Sequence, residues 1–97
     1  MRVLVYSPVR LFGEGIAACL ESVDSVAAIR AEHDPIGLES KVIEFQADLA
    51  LFDVTASEVL STARVVKALC PGVAMVAVAV AEVAEEVIAC ADAGFAA

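Results

Sequence analysis

Cations, histidine and closely spaced cysteines are scarce in this sequence, and each shortage excludes a class of function. Six Lys and Arg residues stand against fourteen Asp and Glu residues, and the formal net charge is −8. Because phosphate contacts depend on cationic side chains, we expect no direct nucleic acid contact from this segment. The three cysteines and the single histidine lie far apart in the chain, which predicts reduced, packed thiols and no metal site.

Long apolar runs are also missing. The longest, Val73–Ala81, has about nine residues, roughly half of what a membrane helix needs. The first apolar run, Val3–Tyr6, is followed at once by serine and proline and is too short for a signal peptide. We therefore expect a soluble, cytoplasmic protein with no membrane segment. At 97 residues the chain is a single domain, and its core is mainly aliphatic, since aromatic residues make up only 5%.

What the sequence does contain is a regular alternation of two patterns. Short apolar runs are typical of buried strands, and segments with apolar residues every three or four positions are typical of helices. The predicted strands are Val3–Tyr6, Val26–Ile29, Leu49–Asp53 and Val73–Val80, and the predicted helices cover residues 11–21, 35–45, 55–70 and 82–93. Alternation with short links predicts an α/β fold with right-handed crossovers and an open parallel sheet.

Asp53 is the candidate functional residue, because it closes the third predicted strand. In open α/β sheets, ligands and chemistry collect at the carboxyl ends of strands. Two interpretations are open: a reactive carboxylate in the crevice, or a partly exposed, ionised carboxylate that binds the amides of the next loop. The sequence offers no nucleophile–base pair, glycine-rich phosphate loop or metal cluster beside it. We therefore expect no enzymatic activity and no cofactor.

Four segments carry a resemblance to a known family. Arg2–Val5 with Leu11–Ile16 resembles the start "RVLI…LFREGL" of receiver domains of the NarL/FixJ (LuxR-type) response regulators. Ala47–Asp53 is similar to their "PDVVLLD" strand, Ala68–Val73 to "ALAPGV", and Ala91–Phe95 to "ALEAGA". The resemblance spans essentially residues 1–97. It implies a flavodoxin-like, receiver-like sheet of order 2-1-3-4 and places Asp53 at the phosphoacceptor position of a two-component phosphorelay.

Several positions depart from the family pattern. The acidic pair that holds Mg²⁺ in the family falls on Ser7 and Pro8, and the switch hydroxyl falls on Ala79. Mg²⁺ prefers carboxylate oxygens in octahedral order, so we expect no magnesium here. The family's fifth strand, with its phosphate-pairing lysine, and fifth helix are lacking. The resemblance therefore implies a degenerate receiver, or pseudo-receiver, incomplete at its C-terminus.

The fourth predicted strand would form a sheet edge without charge or proline. Long apolar edges pair readily with other chains. We expect a homodimer, or binding to a partner protein, through the fourth strand and fourth helix. The candidate residues for this self-association are Met75, Val76, Val78 and Val87.

Three functional hypotheses follow. The first is the regulatory receiver module of a transcription regulator, controlled without phosphorylation, whose full-length protein carries a DNA-binding output domain. The second is a small α/β ligand-binding domain or enzyme that uses the crevice at Asp53. The third is an inactive structural fragment.

Overall fold

Strands and helices alternate throughout the computed structural model, which describes residues 1–55, 58–78 and 84–95. The strands are β1 (Arg2–Tyr6), β2 (Ala28–Glu32), β3 (Leu49–Asp53) and β4 (Ala74–Val78). The helices are α1 (Arg10–Leu20), α2 (Leu38–Phe45), α3 (Glu58–Leu69) and α4 (Ala84–Ala93). All strand pairs are parallel, and the sheet order is β2-β1-β3-β4. The predicted fold class and strand order are confirmed.

The second strand lies further along the chain than its apolar residues predicted. It covers Ala28–Glu32 instead of Val26–Ile29, and its register aligns Arg2 with Ala28 and Tyr6 with Glu32. β2 is an edge strand, so charged side chains can remain near solvent there. Arg30 and Glu32 form an ion pair at 2.7 Å along this edge. Hydrophobicity alone therefore located this strand too early.

The second helix begins later than predicted, at Leu38. Asp34 accepts a hydrogen bond from the amide of Ile36 at 2.9 Å, which closes a turn before the helix. Gly37 then takes a positive φ of 71° at the N-cap position. Asp34 and Pro35 therefore form a turn, and the prediction that they start the helix was wrong.

One face of the sheet, which we call the three-helix face, is covered by α2, α3 and α4. Side chains alternate between the two faces of a strand, so this face receives Leu4, Phe52 and Met75 from three neighbouring strands. Phe52 lies at its centre, 5.7 Å from the Tyr6 ring and 5.4 Å from the Phe95 ring. All five side chains are buried in one continuous apolar core.

The opposite face, which we call the α1 face, is covered differently. α1 packs mainly against β1 and β2, and the β1 residues Val3 and Val5 are fully buried beneath it. On β3 and β4 the apolar side chains of this face, among them Leu49, Leu51 and Val76, are only partly buried. Among the described residues, no second helix covers this half of the face.

β4 lies at the edge of the described sheet, as predicted. Met75 is 1% exposed and belongs to the core, which corrects its prediction as a self-association contact. Ala79, the predicted degenerate switch position, lies outside the described residues. The longest described helix, α3, has twelve residues, and none of the described helices has both the length and the apolar character of a membrane span.

Candidate functional site at the carboxyl end of the sheet

The register of β1 and β3 brings Ser7 and Asp53 together. The two strands run in parallel with Tyr6 aligned to Phe52, so the residues that follow each of these are neighbours. Both side chains point to the α1 face, where Gly13 of α1 approaches Ser7 closely. Ser7 is 0% exposed and Asp53 is 1% exposed. The expectation that Asp53 is partly exposed was therefore wrong.

Both carboxylate oxygens of Asp53 accept hydrogen bonds within the protein. The Ser7 hydroxyl donates to Oδ2 at 2.8 Å. The Thr55 amide donates to Oδ1 at 3.0 Å, and the Thr55 hydroxyl donates to the same oxygen. The Ser7 hydroxyl in turn accepts from the amide of Val9, just before α1, at 3.1 Å. We call these contacts the Ser7–Asp53–Thr55 network; they join β1, β3 and the approach to α1.

The network holds Asp53 in its ionised form. Burial alone raises the pKa of the Asp53 carboxyl, but hydrogen bonds from Thr55 and Ser7 outweigh burial and leave this pKa below its ordinary value. A buried carboxylate with a lowered pKa is a weak base, and its oxygens are already engaged. The geometry therefore gives no support to an enzyme or ligand-binding crevice that uses Asp53 as base.

Mg²⁺ does not fit the residues of this site. Beside Asp53 they provide the hydroxyls of Ser7 and Thr55, which both already donate to the carboxylate, and the exposed ring of Pro8, which has no donor atom. An octahedral Mg²⁺ would need these carboxylate oxygens and further oxygen ligands at about 2.1 Å. Elsewhere among the described residues, no group of three or more potential metal-ligating side chains comes together.

Two parts of the site were not predicted from the sequence. Thr55 was expected to begin the third helix, yet it lies before α3 and its hydroxyl donates back to Asp53. Ser7 was expected only as a position where the family's acid is missing, whereas its hydroxyl donates to the same carboxylate. An Asp-x-Thr spacing at a strand end is typical of a local turn in which the carboxylate binds the amide two residues on, and this signal was available.

The remaining candidate residues do not join this site. Val76 and Val78 are partly buried on β4, and Val87 on α4 is 53% exposed. Tyr6 packs in the core beside Phe52, and burial, followed by the charges of Asp34 and Glu58, raises the pKa of its phenol. Tyr6 therefore stays neutral and serves packing.

Comparison with solved structures agrees with this fold. The chain superimposes on the isolated REC domain of RcsB from Salmonella enterica serovar Typhimurium, solved with the phosphomimetic BeF₃⁻. The TM-score is 0.80 and the identity 15%, over 98% of this chain and 72% of that one. The fold is that of a receiver domain.

Two further solved structures match over similar shares of the two chains. A LuxR family DNA-binding response regulator from Silicibacter pomeroyi gives a TM-score of 0.72 at 20% identity, over 98% of this chain and 72% of that chain. A pilus assembly-related protein from Burkholderia pseudomallei gives 0.81 at 15% identity, over 98% and 73%. No protein-family model and no curated protein matches the chain.

Proposed function

We propose that this chain is the signal-receiver module of a two-component-type transcriptional regulator and that it is controlled without phosphorylation of Asp53. The observation that carries the proposal is the closed Ser7–Asp53–Thr55 network, in which both carboxylate oxygens are buried and hydrogen-bonded. The receiver fold supports the module, and the network supports its independence from phosphate.

Phosphoryl transfer requires an accessible attacking oxygen, and this network engages both carboxylate oxygens of Asp53. An attacking carboxylate oxygen must reach the phosphorus in line, and cations must neutralise the charge that develops on the transferred group. At Asp53 the attacking oxygen would first have to lose its hydrogen bonds from Ser7 or Thr55. The carboxylate is also 1% exposed, so a phosphoryl donor would need the loop after β3 to open. The module is not an enzyme.

The output of such a module is association. We propose that it acts through a homodimer or a partner protein at β4 and α4, where Val76, Val78 and Val87 provide apolar contacts at the sheet edge. In the full-length protein, a DNA-binding output domain would receive the effect, as in the DNA-binding response regulator that shares this fold. With a net charge of −8, the receiver itself would not hold DNA.

The direct test is phosphorylation by a small donor. The chain is incubated with acetyl phosphate and Mg²⁺ and followed by intact-mass spectrometry, with Asp53→Asn as the matched control. We expect no phosphoryl adduct on either protein. An adduct on the natural chain that is absent from Asp53→Asn would overturn the proposal.

A gain-of-function variant tests the reason for this inertness. Ser7→Asp with Pro8→Asp restores two acids beside Asp53, and these three carboxylates would repel one another until a cation binds. We expect millimolar Mg²⁺ to raise the thermal unfolding midpoint of the double variant and leave that of the natural chain unchanged. A magnesium-dependent rise in the natural chain, abolished by Asp53→Asn, would contradict the proposal.

A further inference from the structure

Tyr6 is a buried residue whose hydroxyl has no partner within the described part of the chain. The residue is 2% exposed, and its ring packs beside Phe52 on the three-helix face. None of the hydrogen bonds among the described residues involves the hydroxyl. Since no fully buried side-chain oxygen lacks a partner there, this hydroxyl is in contact with solvent. Buried tyrosines usually satisfy their hydroxyl within the protein, so that of Tyr6 is an open hydrogen-bonding position.

This hydroxyl lies at the carboxyl end of the sheet, beside the loops that lead into α2 and α3. Tyr6 ends β1 and is aligned with Glu32, which ends β2. Asp34 follows two residues later in the turn before α2, and Glu58 is the first residue of α3. Burial raises the pKa of the Tyr6 phenol most, and the charges of Asp34 and Glu58 raise it further. Both acids are therefore within electrostatic reach of the hydroxyl.

The two acids have no compensating cation. All six Lys and Arg residues are described, and none of them forms an ion pair with Asp34 or Glu58. Arg30 and Lys41 pair with Glu32 instead. One oxygen of Asp34 closes the turn before α2, and Glu58 suits the positive end of α3. These local roles leave the second oxygen of Asp34 and both oxygens of Glu58 without a hydrogen bond from the described residues.

We call the Tyr6 hydroxyl and the carboxylates of Asp34 and Glu58 the Tyr6 cluster. Its oxygen acceptors come from three elements, and a primary ammonium group has three N–H donors around one positive charge. A metal ion would need about six oxygen ligands, and no group of three or more metal-ligating side chains comes together among the described residues. The net charge of −8 also attracts small cations. The chemistry of the cluster therefore suits an ammonium group better than a metal ion.

We infer that the Tyr6 cluster binds the primary ammonium group of a small amine, with the buried tyrosine at the base of the site and the two exposed acids at its rim. This inference goes beyond the proposed function and involves neither β4 nor α4. It also does not use the Ser7–Asp53–Thr55 network, because neighbouring residues of a strand point to opposite faces and Ser7 points to α1.

Tyr6 itself reports on this site, because it is the single tyrosine and the chain has no tryptophan. The tyrosine fluorescence of the natural chain is titrated with butylammonium at constant ionic strength. Tetramethylammonium is the matched control, since it has the same charge and no N–H donor. We expect a saturable change at millimolar butylammonium and no change with tetramethylammonium.

Substitutions assign the binding to the three groups. Asp34→Asn and Glu58→Gln each remove one charge, and Asp24→Asn is the matched control, because Asp24 is exposed at the opposite end of the sheet. Tyr6→Phe removes only the hydroxyl, and its binding is followed by amide chemical shifts in NMR spectra. We expect the Kd for butylammonium to rise roughly threefold or more in each cluster variant and to stay unchanged in Asp24→Asn.

A lysine derivative with blocked α-amino and carboxyl groups distinguishes the source of the ammonium group. Tighter binding of butylammonium supports a free amine, whereas tighter binding of the derivative would assign the site to a lysine of a partner protein and overturn the small-amine ligand. The inference also fails if no saturable change occurs, if tetramethylammonium acts equally, if Asp24→Asn weakens binding equally, or if Tyr6→Phe keeps the natural affinity. None of these results depends on phosphorylation of Asp53 or on association at β4 and α4, so the two proposals fail separately.

Discussion

The two faces of the sheet bury their residues by different means. On the three-helix face, side chains of all three packed helices close over Phe52, and the contacts are apolar. On the α1 face, one helix covers β1 and β2, while Leu51 and Val76 remain partly exposed. The buried end of that face is polar and is joined by the Ser7–Asp53–Thr55 network.

The difference shows how stability and function divide in this molecule. A parallel sheet is normally covered on both faces. Here the described residues complete that cover on one face only. The complete face provides the apolar core, so we assign it most of the stability. The incomplete face carries the Ser7–Asp53–Thr55 network at the carboxyl end of the sheet.

The largest expected effect compares adjacent residues of β3 that point to opposite faces. Phe52 is 0% exposed beneath three helices, and Leu51 is partly exposed on the α1 face. Because Phe52→Ala leaves a cavity in close-packed surroundings, we expect it to lower the free energy of unfolding by about 3–5 kcal/mol. For Leu51→Ala we expect about 1–2 kcal/mol, since part of that side chain is already in water. Urea unfolding measures both.

Phe52→Leu keeps the comparison measurable if Phe52→Ala does not fold. Phe52→Leu should lower the free energy of unfolding by less than Phe52→Ala does. It should still lower it by more than a conservative change at Leu51, such as Leu51→Val. Equal losses at the two positions would show that the faces contribute equally and would break the comparison.

The next effect concerns the polar end of the α1 face. Asp53→Ala removes the acceptor of the Ser7 hydroxyl and of the Thr55 amide, and leaves the Ser7 hydroxyl buried without this acceptor. We expect a loss of about 2–3 kcal/mol in urea unfolding. Thr55→Val, which deletes one donor and keeps the amide bond to Asp53, should cost about 1 kcal/mol. A loss below 0.5 kcal/mol, on the order of an ordinary surface change, for Asp53→Ala would contradict the role of the network.

How far the sequence predicts each strand or helix depends on whether its apolar residues mark its bounds. β1 and β3 are apolar runs at the centre of the sheet, and their prediction needed only composition. β2 was placed too early because Arg30 and Glu32 are tolerated at an edge, which no local pattern reveals. The second helix was predicted to begin too early, at residue 35, because Asp34 and Ile36 form a turn ahead of it.

The position of the site could be predicted from the sequence, but the burial of Asp53 could not. Strand order placed Asp53 beside Ser7 once the parallel sheet was recognised. Its burial was not predictable, because burial depends on how closely Gly13 of α1 approaches Ser7, a distance that only packing decides. The exposure of Leu11 was hidden for the same reason, since periodicity marks an apolar stripe without showing which element covers it.

A smaller effect separates the faces by pH. The pKa of Asp53 in the folded protein lies below its ordinary value of about 4. Its contribution is therefore fully present above that value and is lost as the pH falls through the lower folded pKa. We expect the stability difference between the natural chain and Asp53→Asn to be constant near neutrality and to shrink only below about pH 4. Urea unfolding as a function of pH measures it.

Phe52, on the three-helix face, is the control residue for this prediction. The difference between the natural chain and Phe52→Leu should be independent of pH over the same range, since Phe52 does not titrate. A difference for Asp53→Asn that grows as the pH falls would mean that the folded pKa is raised, and would contradict the hydrogen-bonding account.

The smallest effect lies within α1, whose two glycines meet opposite surroundings. A Cβ on Gly13 would lie 3.3 Å from the Cβ of Ser7, whereas one on Gly15 would meet nothing within 4 Å. Alanine favours a helix over glycine by about 0.5–1 kcal/mol, so Gly15→Ala should stabilise the protein by about that amount. Gly13→Ala gains the same propensity but presses on the Ser7–Asp53–Thr55 network, so we expect a neutral to destabilising change. Thermal unfolding at low concentration compares them, and a stabilising Gly13→Ala would show that α1 can move away from the sheet at little cost.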